Sequence, residues 1–406
     1  MQIVYQACRN FRPLLIHAEV HSCGQRIAKP PAGPARRAFD AAEARSLQSA
    51  AMAAALLEWP LFLARLARDE LVERYGYYRW ARPPFPTKYL SPTGLALSCD
   101  AYGGSAYVMS GRLQHIDLST YRDIADGAVI WMRIEALPLF NREVLPQLEC
   151  RFVLVTGESD WSVPSSFYEA ARTVVESGKL LHWFSVNYDG TALADVITPV
   201  PIGIEYPKRN DVTLNSRMGS YCAVRKTPAR HEAEWEALAL DAPPVEERLP
   251  LAVADFHFND TAVSRCFGET RTEIFDRLRD NPNIVFPARR RMDPLEPRLR
   301  YARHAFAIVT YGRGLDGHRT WEALLMGSIV IVKKGPLDVL YRGLPVVSID
   351  DWEEITANNM ARWLAKYASG FDRSGVHELL SMERWRRRIH EAARLPAGRN
   401  PVVAMS

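Results

Sequence analysis

The sequence predicts an α/β protein made of two Rossmann-like, doubly wound domains facing each other across a cleft, with an N-terminal helical extension. Three observations carry that expectation. Short apolar runs of strand length recur through residues 128–204 and again through 249–348. Helical segments separate them at spacings suited to right-handed β-α-β crossovers and parallel sheets. A stretch from 206 to 250, containing one helix and ended by Ala242-Pro243-Pro244, interrupts the rhythm. At 406 residues the chain has the length of two ordinary domains.

Residues 1–95 begin with a short strand, Gln2 to Tyr5, and a Pro/Ala-rich loop from Lys29 to Ala35. A helix rich in Ala, Leu and Arg runs from about Asp40 to Tyr75, kinked or divided at Pro60, and Arg82-Pro83-Pro84-Phe85-Pro86 rules out its continuation. The first α/β domain, 96–245, has strands at Ala128–Arg133, Arg151–Thr156 and Leu180–Ser185, with a helix at Phe167–Ser177. Thr198–Ile204 is a fourth strand whose two prolines place it at an edge or a strand end. A helix at His231–Leu240 leads to the second domain, 246–374. Its strands are Leu249–Phe256, Asn283–Phe286, Phe306–Val309, Ser328–Val332 and Pro345–Ser348. Its helices are Thr270–Arg279, Arg319–Met326 and Met360–Tyr367, and residues 375–406 add a helix at Met382–Ala393 and a tail.

Composition narrows the function. Hydrophobic residues at 48% and charged residues at 24% describe a globular chain, and a formal charge of +4 is too small for a dedicated nucleic-acid binder. Arg289–Arg291 and Arg386–Arg388 are local clusters, either ordinary surface or a basic rim that attracts an anionic donor or a phospholipid-linked acceptor. The cysteines at 8, 23, 99, 150, 222 and 266 lack zinc-site spacing and are expected to be reduced. No secretory pattern opens the sequence, and the most apolar stretch, Ala50 to Ala64, is broken by Glu58 and Pro60. A cytoplasmic protein is expected, with any membrane association peripheral and at the inner face. Ten Trp and sixteen Tyr suit sugar-binding clefts, although core filling accounts for most such residues.

The segment with the most chemistry is Phe306 to Lys334, FAIVTYGRGLDGHRTWEALLMGSIVIVKK. A strand enters a loop holding Gly312, Gly314, Asp316 and Gly317, and a helix then carries His318, Arg319 and Glu322. A ligand beyond the strand ends of an open sheet meets helix N-termini with free N–H groups. Glycines allow close approach of a diphosphate, Arg319 adds a bidentate contact, and Glu322, one turn on, suits ribose hydroxyls. Arg265, Arg271 and Lys334 are further cationic candidates. The plain alternative is a surface pair of Arg319 and Glu322 beside an ordinary glycine loop. The loop is neither a G-x-G-x-x-G fingerprint nor a P-loop, which counts against a dinucleotide oxidoreductase.

This stretch resembles the signature of exostosin-like glycosyltransferases: a glycine-rich loop, Arg319, Trp321-Glu322-Ala323-Leu324, then Gly327-Ser328-Ile329-Val330-Ile331. FVLVTGESDWSVP (152–164), HWFSVNYD (182–189) and PVPIGIE (199–205) are similar to further family motifs, and the resemblance covers roughly 125–355. Val330 departs from the family's usual proline. The resemblance implies a GT-B arrangement, in which 96–245 takes the acceptor and 246–374 the nucleotide-sugar. It implies transfer of a sugar from a nucleoside diphosphate donor to a hydroxyl of a glycan or lipid-linked acceptor, with inversion and without a metal. The base is expected at Asp160 or Glu158, past the strand ending at Thr156; Asp160 is equally suited to capping the next helix. A similar Glu-Ala-Leu-x-x-Gly arrangement in α1,3-fucosyltransferases keeps a GDP-fucose enzyme open. A catalytically inactive glycan-binding protein of the same fold is the alternative from another class.

Overall fold

A computed structural model describes residues 87–102, 118–206, 228–258, 268–287, 296–368 and 373–394. Among these, nine strands form two sheets in which every pairing is parallel. The first sheet holds β1 (Ala128–Met132), β2 (Phe152–Thr156), β3 (Leu180–Ser185) and β4 (Ile197–Pro199), side by side in that order. Helix α1 (Pro92–Leu97) precedes it, α2 (Leu137–Glu143) joins β1 to β2, and α3 (Tyr168–Glu176) joins β2 to β3. Every residue of β1 and β2 is buried. That is why both read as unbroken apolar runs rather than alternating ones.

After α4 (Pro228–Asp241) the second sheet begins with β5 (Leu249–Val253), α5 (Arg271–Leu278) and β6 (Ile284–Val285). It continues through α6 (Glu296–Arg303), β7 (His304–Ile308), α7 (His318–Leu325), β8 (Ile329–Lys333), β9 (Val346–Ile349) and α8 (Ala357–Ala368). The strand order is β6-β5-β7-β8-β9. The chain therefore leaves β5 on one side and returns on the other. Such a reversal opens a crevice between the carboxyl ends of β5 and β7, where ligands of open α/β sheets bind.

Local chemistry explains the helix starts. Thr270 and Glu273 form a capping box at α5, and Ser91 caps α1 ahead of Pro92. Four short helices are absent from the pattern-based expectation: α1, α2, α6 and α9 (Arg373–Leu379). Each has eight residues or fewer, and three carry proline in the first turn, too little sequence for periodicity to register. The expected strand at Thr198–Ile204 shortens to Ile197–Pro199. Pro199 and Pro201 lack the N–H a longer ladder needs.

Residues Ala81–Ser406 cluster as one unit containing both sheets. The connection that follows β4 runs beside Leu90, whose carbonyl accepts from Ile204 N at 2.8 Å, and Leu90 N donates to Leu380 O at 2.6 Å. Gly203 (φ +75°) packs so tightly on Leu90 O that no Cβ fits. After Ser381 the chain enters α10 (Met382–Ala392), which returns to the first sheet. There Met382, Trp385, Ile389 and Ala392 share a core with Val129, Val153 and Phe184.

The expected strand at Gln2–Tyr5, the helix at Asp40–Tyr75, Arg289–Arg291, Arg265 and the cysteines at 8, 23, 222 and 266 lie outside the described residues. Cys99 and Cys150 are free thiols. No helix among the described residues is long and apolar enough to cross a membrane. Of the second arginine cluster, Arg386 pairs with Glu383 at 2.7 Å and Arg388 lies 5.0 Å from the Trp385 ring centroid.

Candidate active site

The crevice of the second sheet is spanned by Arg271, the first residue of α5. Its Nε donates to Tyr311 O at 2.9 Å and to Thr310 Oγ1 at 3.2 Å, both beyond β7. Its Nη1 donates to His257 O at 3.1 Å, beyond β5. The guanidinium thus bridges the two strand ends at the switch point. A Cβ on Gly312 would sit 2.8 Å from Arg271 Nη2, so this glycine admits the guanidinium. Arg319, the second residue of α7, has no ion-pair partner among the described residues. Burial pushes the His257 imidazole below its ordinary pKa, and the charges of Arg319 and Arg271 add to that. Asp255, at the end of β5, is neutralised by Arg300 at 3.0 Å.

The glycine-rich loop is also a seam between the two halves. Asp316 is buried: Oδ1 accepts from Gly317 N at 2.8 Å and Trp321 Nε1 at 2.9 Å, and Oδ2 accepts from Ile202 N at 2.7 Å. Burial lifts its carboxyl to about 6 against those hydrogen bonds. Asn187, just past β3, accepts from Asp316 N and donates to Ser159 O. His318 Nδ1 lies 2.8 Å from Gly203 O. A Cβ on Gly314 would meet Asn187 Nδ2 at 2.8 Å and Asp160 O at 3.2 Å. Gly317 is different. It precedes α7 with no side-chain cap, and a Cβ there would meet nothing within 4 Å.

Glu322 departs from the ribose role expected of it. Its carboxylate is buried and paired with Arg298 of α6, whose guanidinium lies 4.4 Å from the Trp235 ring centroid. The pair ties α6 to α7. An isolated buried carboxylate is expensive, and the neighbouring arginine is what allows it there.

On the first half, Asp160 and Glu158 follow β2. Asp160 is half-exposed, with Oδ2 3.9 Å from Nη1 of Arg313, which comes from the glycine-rich loop. Burial raises its pKa, opposed by Arg313 and Arg133 and supported by Glu135 and Glu158. Arg133 and Glu135, at the end of β1, pair at 3.0 Å. Glu158 and Asn187 both sit in the left-handed region, at φ 51° and 57°. Behind them, buried Thr156 Oγ1 accepts from Trp183 Nε1 at 2.9 Å and lies 2.8 Å from Ser185 Oγ, fixing the ends of β2 and β3.

No protein-family model matches the chain, and no curated protein matches it. Solved structures similar to it include the GtfA/B complex, at TM-score 0.34 and 10% identity, over 70% of this chain and 62% of that one. A UDP-forming trehalose-phosphate synthase from Burkholderia xenovorans aligns at TM-score 0.33 and 12% identity, over 68% and 76%. The pneumococcal O-GlcNAc transferase GtfA in complex with UDP and GlcNAc aligns at TM-score 0.31 and 11% identity, over 70% and 62%. The chain thus spans under two thirds of the GtfA chains it matches. The assignment to an α/β fold with two Rossmann-like sheets stands on the strand pairings themselves.

The structure brings Arg271 and Gly312 to the crevice of one sheet, sets the Arg319 charge close enough to act on His257, leaves Gly317 at the start of α7, and places Asp160 of the other sheet's loop beside Arg313. It gives Gly314, Asp316 and His318 to the seam and Glu322 to an internal ion pair. Asn187, His257 and Arg313 were not singled out by sequence. Asn187 had a signal within HWFSVNYD, since asparagine tolerates left-handed backbone better than other non-glycine residues.

Proposed function

We propose that the chain is a glycosyltransferase of the GT-B type. It moves a sugar from a nucleoside diphosphate donor to a hydroxyl of a glycan or lipid-linked acceptor. The observation that carries this reading is the crevice between β5 and β7, bridged by Arg271 and flanked by an Arg319 that no described carboxylate pairs with. The resemblance of the 306–334 segment to exostosin-like enzymes supports it.

In this reading the diphosphate lies against Arg271, Arg319 and the uncapped N–H groups following Gly317. Asp160 takes the proton of the acceptor hydroxyl as its oxygen bonds to the anomeric carbon. The bond from that carbon to the diphosphate breaks, and the charge on the leaving oxygen is met by the two guanidiniums. Burial that raises the Asp160 pKa improves it as a base. Attack from the face opposite the leaving group inverts the configuration, and the cationic side chains take the role a metal would fill. Glu158 is the second candidate base.

Calorimetry with UDP and GDP on the wild type, Arg271→Ala and Arg319→Ala tests the reading. Loss of nucleotide affinity in both variants supports it, and unchanged affinity removes the site. Preference for GDP over UDP favours a fucosyltransferase-like donor.

A further inference from the structure

Trp161 differs from most of the other tryptophans among the described residues. Six of them, Trp131, Trp183, Trp235, Trp321, Trp352 and Trp385, are less than 2% exposed, whereas Trp161 is 39% exposed. Water contact with an indole of this size is unfavourable unless something else covers it. The ring is nevertheless held in place. Phe167 meets it edge to face, with centroids 6.0 Å apart and planes at 85°. The Trp161 backbone N–H, not the indole, donates to Ser159 Oγ at 3.2 Å and so fixes the main chain beneath the ring. Asn187 holds the loop on both sides, through Ser159 O at 2.7 Å and through Val163 N, which donates to Asn187 O at 2.9 Å. Tyr168, 43% exposed, continues the aromatic character at the start of α3.

We infer that Trp161 is the platform on which a pyranose ring of the acceptor stacks, bringing its hydroxyl to Asp160. The inference rests on the glycosyl-transfer reading above and names what that reading leaves open: a sugar-bearing acceptor, and the residue that selects it. A fixed indole face offers its π surface to the axial C–H groups of a sugar at little ordering cost. The preceding residue is Asp160, the candidate base, whose carboxylate faces Arg313 across the seam.

The test uses the full chain, with Trp161→Ala and Trp161→Phe beside the wild type. Saturation-transfer NMR is recorded with methyl α- and β-glycosides of glucose, galactose, mannose and N-acetylglucosamine, and UDP and GDP affinities are measured on the same samples. The wild type is expected to give transfer to the ring C–H protons of at least one glycoside. Trp161→Ala should weaken that binding by about tenfold or more, Trp161→Phe should retain most of it, and nucleotide affinity should change less than about twofold. The intact nucleotide binding shows that the variants are folded. A glycoside signal undiminished in Trp161→Ala, or absent from a wild type that binds nucleotide, overturns the platform alone. A wild type that binds neither nucleotide overturns the glycosyl-transfer reading itself.

Discussion

Asn187 Oδ1 accepts the backbone N–H of Asp316 at 2.8 Å while its Nδ2 donates to Ser159 O at 2.7 Å. One buried side chain at the end of β3 therefore ties the β2 loop of its own sheet to the glycine-rich loop of the other. Asn187→Ala leaves two buried backbone groups without partners and puts alanine at φ 57°. A loss of about 2–4 kcal/mol is expected. Urea unfolding of both proteins measures it, and Asn187→Gly should recover the backbone share, about 1 kcal/mol.

Gly312 makes a separable prediction. A methyl there collides with the end of the Arg271 side chain, which can swing aside, and not with backbone. Gly312→Ala should change stability by no more than about 1 kcal/mol. Because the displaced guanidinium leaves Thr310 and Tyr311, nucleotide affinity should fall by about tenfold, as one lost charged contact would give. Paired melting and calorimetry distinguish the two effects.

Asp316 sets a pH dependence. Its folded pKa, about 6, lies above the ordinary 3.8, so between those values the folded state holds the proton more tightly than the unfolded chain. The stability this contributes is complete below the unfolded pKa and is lost as pH rises through about 6. The stability difference between wild type and Asp316→Asn should therefore shrink from pH 4 to pH 6.5 and level off above. Denaturant midpoints across that range read it directly.

His257 reports the field of the crevice. The Arg319 charge helps depress its pKa, so Arg319→Ala should move the His257 titration upward, toward the ordinary 6.5. Proton NMR of the imidazole resolves the shift. A His257 titration unmoved by the substitution would place Arg319 away from the switch point.

The sheets were legible because buried parallel strands leave a strong mark. Leu180–Ser185 of the first sheet is observed with the bounds expected of it, and the expected strands of the second sheet shift by a few residues. The glycine-rich loop was legible as a place but not in its contacts. Its residues face partners more than a hundred positions away, such as Asn187 for Asp316 and Gly203 for His318. No local pattern encodes such a pairing. Glu322 shows the same limit: its helical spacing from Arg319 was readable, but Arg298, 24 residues upstream, claims it.

The return of α10 to the first sheet has a consequence for biosynthesis. Val129, Val153 and Phe184 are made early, yet part of what covers them, Trp385 and Ile389, emerges only after the whole second sheet. A nascent chain interrupted before Met382 presents that apolar face to water. The core of the earlier half is therefore completed only once the later half has been synthesised. Expressed alone as a contiguous fragment, it should precipitate, and adding α10 back as a separate peptide should rescue it.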